Sequence, residues 1–165
     1  MFFLLTAVVL SEIGMAGTEV HEMRVTVTIP PAIELRIGDE DWSEVALLHE
    51  LPDGFEAVLH VILCTNAPPT QLYMELGNHD FLSIYYSVVP GRVAEGAGAL
   101  MLATQPRCWL GTAASPGEHV FTLRLKLKCK PHHGIQQTLL LGLLAQDHLG
   151  ITASREVRIS LPAQP

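Results

Sequence analysis

Val120-Phe-Thr-Leu-Arg-Leu-Lys-Leu-Lys-Cys129 sets Phe121, Leu123, Leu125, Leu127 and Cys129 at every second position, with Thr122, Arg124, Lys126 and Lys128 between them. Successive side chains of an extended chain point to opposite sides, so this alternation predicts a strand with one buried face and one wet face. The stretches on either side repeat the theme. Val25, Val27 and Ile29 alternate with Arg24, Thr26 and Thr28; Pro30 and Pro31 interrupt, and Ile33, Leu35 and Ile37 resume. Proline cannot donate to a ladder, so this first strand is expected at a sheet edge, where it bends or changes sheets at the prolines. Phe55 to Thr65 reads as a nearly continuous apolar strand stopped by Asn66-Ala-Pro-Pro69. Gln71 to Leu76 and Phe81 to Val89 are strands split by the turn Gly77-Asn-His-Asp80, and Ala99 to Ala103 is a short one. Pro106 to Gly117 shows no pattern. Thr138 to Ala145 and Glu156 to Leu161 complete the set. Asp41 to Leu51 alone has helical spacing, with Trp42, Val45, Leu48 and Leu51 on one side. The expectation is an all-β sandwich of about seven to nine antiparallel strands.

Composition narrows the partners. At 165 residues the chain suits one domain, and 48% hydrophobic against 16% charged residues is a folded rather than a disordered balance. Ten basic against 17 acidic residues leave a formal charge of −7, which disfavours nucleic acid. The apolar stretches Phe2 to Leu5 and Ala7 to Leu10 fall far short of the ~20 residues a spanning helix needs. Residues 1–17 instead run from apolar through Ser11 and Glu12 to the small residues Gly14, Ala16 and Gly17, the order of a secretory signal peptide cut near Ala16 or Gly17. The alternative is a retained N-terminal apolar strand, Phe3 to Leu10, able to insert into a neighbouring subunit's sheet. Either way residues 18–165 form a single sandwich domain, expected to be secreted or at a cell surface. Cys64, Cys108 and Cys129 then allow one disulfide and a spare thiol in three pairings, or three small buried residues. There is no Cys-x-x-Cys pair to suggest a zinc ribbon or a redox motif.

The segment Leu143 to Ile159 resembles the closing hairpin of immunoglobulin-like modules on bacterial surfaces. In that resemblance Ala145-Gln-Asp-His-Leu-Gly150 is the turn, Asp147 caps it, Gly150 takes the positive φ angle and Val157-Arg-Ile159 ends the domain. The proline-broken strand Val25 to Ile37 and the lead-in Pro116 to Leu123 are similar in kind, so the likeness brackets residues 24–161. It implies an immunoglobulin-like β-sandwich acting as a structural or interaction module. Trp109 lies between Cys64 and Cys129, but two strands follow Cys129, so the antibody-type Cys…Trp…Cys order is not matched.

A second resemblance is chemical. Cys129-Lys-Pro-His-His-Gly134 resembles the copper loop of cupredoxins, in which a thiolate and imidazoles hold copper in a plane with a weak axial ligand. It implies copper held by Cys129, His132 and His79, with Gln136 or Gln137 at the axial position, in an electron carrier or copper chaperone. The plain alternative is a strand ended by Pro131 and two turn histidines. Asp39, Glu40, Asp41 and Glu44 form an acidic loop that either is solvated or binds calcium in an adhesion module. Gly-x-Ser-x-Gly, His-Glu-x-x-His, phosphate-loop and dinucleotide motifs are all absent. The combined expectation is a non-catalytic module for surface assembly, adhesion or scaffolding, without a cofactor. Its partner is a protein or a second copy, met through the edge strand beside the proline break.

Overall fold

The computed structural model describes residues 4–9, 23–38, 47–77, 79, 81–92, 98–129 and 137–161. The chain divides into two units, Met1–Pro31 and Ala32–Pro165. In the first, β1 (Leu4–Val9) pairs antiparallel with β2 (Met23–Thr28), Leu4 opposite Thr28 and Val9 opposite Met23. The rest of 1–17 lies outside the described residues. At the prolines the stretch from Val25 to Ile37 changes sheets, one of its two expected outcomes. β2 ends before Pro30 and belongs to the first unit, whereas β3 (Ile33–Ile37) belongs to the second. Two consecutive residues without an N–H sever the ladder and leave each half to its own sheet.

The second unit is an all-β, immunoglobulin-like sandwich. After β3 come β4 (Leu47–Leu51), β5 (Gly54–Thr65), β6 (Thr70–Leu76), β7 (Ser83–Pro90), β8 (Met101–Leu102), β9 (Arg107–Ala113), β10 (Gly117–Lys128), β11 (Thr138–Asp147) and β12 (Thr152–Ser160). One sheet has the order β3-β5-β10-β7-β8, with β4 also paired to β5; the other is β12-β11-β6-β9. All pairings are antiparallel. The described residues contain no helix and none long and apolar enough to cross a membrane.

The strand read first, β10, forms the axis of the larger sheet, flanked by β5 along its whole length and by β7 from Phe121 to Lys128. Leu123, Leu125 and Leu127 are fully buried and meet Leu139, Leu141 and Leu143 of β11 in one core between the sheets. Each such leucine contributes about 2 kcal/mol by leaving water. Arg155 of β12 closes one open side by donating from Nε to the Leu35 carbonyl of β3 at 3.0 Å.

Two segments depart from expectation. Leu47–Leu51 is strand β4, not the end of a helix; the two-residue turn Pro52-Asp53 returns the chain into β5 with Leu51 opposite Gly54. Residues 41–46 of the expected helix lie outside the described residues. Arg107–Ala113, read as irregular, is the edge strand β9. Its register shifts where β6 passes from Leu72 to Tyr73. This bulge reverses the in–out parity of β9 midway and conceals its alternation.

Candidate functional site

One end of the sandwich is closed by buried polar side chains: two threonines that bond each other, and Asp147, which bonds backbone N–H groups through Oδ1 while its buried Oδ2 has no partner. Thr65 of β5 and Thr70 of β6 are buried with their hydroxyls 2.8 Å apart. Thr70 donates to the Ala67 carbonyl at 3.2 Å, and the Ala67 N–H donates to Thr65 Oγ1 at 3.1 Å. Asp147, opposite Thr70 in the ladder, accepts from the N–H groups of Leu149 and Ile151 at 2.9 and 2.8 Å. Gly150 has φ 85°, as the turn reading required. These contacts organise the turn and the end of the core.

At the opposite end the loop after β6, with His79, and the end of β10, with Cys129, come together topologically, because Lys128 pairs with Ser83. His79 is exposed and its ring sits 5.8 Å from that of Phe81. The Cys129 thiol is half-buried and burial raises its pKa, favouring the protonated form. His132, Gln136 and the rest of the copper loop after Cys129 lie outside the described residues, as do Asp39, Glu40, Asp41 and Glu44. Gln137 is described, at the start of β11, where its carbonyl accepts from the Leu161 N–H at 2.9 Å. Among the described residues no three metal-binding side chains cluster.

The three cysteines are free thiols. Cys64 pairs with Glu118 at one end of β10 and Cys129 follows the other end, on the order of 35 Å away along the strand. A disulfide needs Cα atoms within about 7 Å. Cys108 is buried in the other sheet, donating weakly to the Gln105 carbonyl at 3.5 Å. Across the core it meets Tyr86, whose hydroxyl pKa is raised by burial first and by Cys108 second.

The outer face of the larger sheet carries a polar network. Arg36 Nη2 donates to Glu118 at 3.0 Å and to the Cys64 sulfur at 3.3 Å. Arg124 meets Glu56 at 2.8 Å, and Lys128 meets Asp53 at 3.1 Å. His60 Nδ1 lies 3.2 Å from Thr122 Oγ1, which donates to the Gly91 carbonyl at 2.7 Å. Thr122 and Ser87 are buried on this face, and Gly98 lies against Ser87 and Val89.

Exposed apolar groups gather elsewhere. Leu100, Met101 and Leu102, at 51%, 45% and 48% exposure, lie on or beside β8, the outermost strand of the larger sheet. Trp109 stands 57% exposed on β9, the corresponding edge of the smaller sheet. Neither cluster was singled out from sequence. β8 is too short for periodicity, and Trp109 sits beside a bulge that hides the alternation of its strand.

No protein-family model matches the sequence, and no curated protein matches it. Among solved structures the chain is similar to the N-terminal domain of PorA at 9% identity and TM-score 0.44, covering 77% of this chain and 96% of that one. It is similar to AvmM, described as catalysing macrocyclization in alchivemycin A biosynthesis, at 11% identity and TM-score 0.45, covering 81% and 90%. The ASH/PapD-like domain 7 of human CEP192 is similar at 14% identity and TM-score 0.37, covering 88% and 95%. Likeness at this level carries neither an activity nor a partner to this chain.

Proposed function

We propose that the sandwich is a non-catalytic interaction module that associates with a protein partner, or a second copy, through the β8 edge. The observation that carries this reading is the run Leu100-Met101-Leu102, three consecutive large apolar side chains about half exposed on an outermost strand. A strand edge presents unpaired N–H and C=O groups, and soluble proteins ordinarily blunt such edges with charge or proline. Here apolar side chains add to the template instead. The edge beside the proline break is less open, because Arg155 occupies the Leu35 carbonyl of β3. The order of apolar, polar and small residues over 1–17 supports an exported setting.

Sedimentation and cross-linking of the full chain, alone and in extracts of its own source, test the reading. Association is expected, and Met101→Lys with Leu102→Lys should abolish it while leaving the melting temperature at the value the unsubstituted chain shows when dilute. A chain that stays monomeric and recovers no partner overturns the proposal.

A further inference from the structure

The outer face of the smaller sheet is a second surface, separate from the β8 edge. Register places Tyr73 of β6 directly opposite Trp109 of β9. On one side of this aromatic pair lies a row of amides and a hydroxyl, Gln146 opposite Gln71 and Gln71 opposite Thr112; on the other, Glu75 lies opposite Arg107. Three features fix these groups in advance. The Tyr73 hydroxyl donates to Gln71 Oε1, which leaves that amide's NH2 as its donor side. The Arg107 guanidinium lies over the Tyr73 ring, 5.7 Å from its centroid. Arg107 Nε also donates to Glu75 Oε1 at 2.7 Å, so the two charges offset each other. Gly142 keeps the face low beside Glu75, where an added Cβ would stand 3.3 Å from the Glu75 Cβ.

We propose that this face binds a neutral saccharide, with one pyranose ring stacked on Trp109. A sugar ring has an apolar C–H face and a rim of hydroxyls, and the surface offers the complement: one exposed indole between rows of hydrogen-bonding groups. Gln71, Gln146 and Thr112 bind hydroxyls on one side of the ring, and the Arg107–Glu75 pair binds those on the other. An anionic ligand would find its cation already neutralised by Glu75. A protein partner would be expected to need a wider continuous apolar patch than the single row in which Leu144 lies opposite Tyr73 and Tyr73 opposite Trp109. Because Gln71, Arg107 and Glu75 are already held by their neighbours, little ordering entropy of these three opposes binding.

The test titrates the full chain carrying Trp42→Phe, which leaves Trp109 as the only tryptophan. The probes are cellohexaose, mannohexaose, maltohexaose and chitohexaose. At least one should change the Trp109 emission saturably with Kd below about 1 mM. In calorimetry Trp109→Ala should weaken that binding at least tenfold and Gln71→Ala several-fold, with the melting temperature unchanged because both side chains are exposed. Flat titrations with all four sugars, binding that survives Trp109→Ala, or a purified protein partner that shields Trp109 in their place would overturn the proposal.

Discussion

At the residue scale, two side chains define measurable thermodynamics. Asp147 is 94% buried by its 6% exposure and holds the β11–β12 turn through two backbone N–H groups. Asp147→Ala orphans both donors and should cost about 2 kcal/mol in urea unfolding, while Asp147→Asn, which keeps an acceptor oxygen, should cost less. Its role was readable from Ala145-Gln-Asp-His-Leu-Gly150 because an Asx turn is local: the acceptor, the donors and the positive-φ glycine lie within a few residues. Cys129 supplies a pH dependence. Burial holds its folded pKa above the ordinary 9.0, so below pH 9 the thiol is protonated in both states and contributes no slope. As pH rises through the unfolded value toward the folded one, the unfolded chain ionises first and stability falls. Tyr86, raised by burial and by Cys108, extends the decline above 10. Cys129→Ala should remove the earlier part of the alkaline loss, as read from melting temperatures between pH 8 and pH 11.

At the element scale, the two longest strands, β5 and β10, meet at a point that admits only glycine. A Cβ on Gly54, whose φ is 155°, would lie 1.9 Å from the Leu127 carbonyl oxygen, and backbone cannot move aside as a side-chain tip can. Gly54→Ala should therefore cost at least about 3 kcal/mol and fray the Gly54–Lys128 rung, visible as faster amide exchange there. β10 was legible because its alternation is unbroken from Phe121 to Leu127. β4 was not, since Leu48 and Leu51 satisfy helical spacing as readily as a strand does. The informative signal was Pro52-Asp53-Gly54, a turn sequence that turns the chain back on itself in a hairpin. β9 was hidden by its bulge, which places Cys108, Leu110 and Ala113 inward but Trp109 and Thr112 outward.

At the scale of the whole molecule, the proposed β8 association should make the melting temperature rise with protein concentration, and the Met101→Lys/Leu102→Lys chain should lose that dependence. The candidate surfaces were the least legible part. Tyr73 and Trp109 become neighbours only because β9 pairs with β6 after the chain has crossed to the other sheet and back through β7 and β8. Leu100 to Leu102 lie exposed where, among the described residues, no strand pairs with β8 on its outer side. The copper residues Cys129, His132 and His79, and the acidic loop, were picked out by local motif, and a motif reports residue order without the distances that make a site. Alternation, turn residues and prolines are local, so the amino-acid order by itself determined that the chain is a β-sandwich, where most strands run and which of their faces are buried. Strand order, register and edges arise from pairings between distant segments, so only the tertiary structure decided which side chains share a face and which remain uncovered.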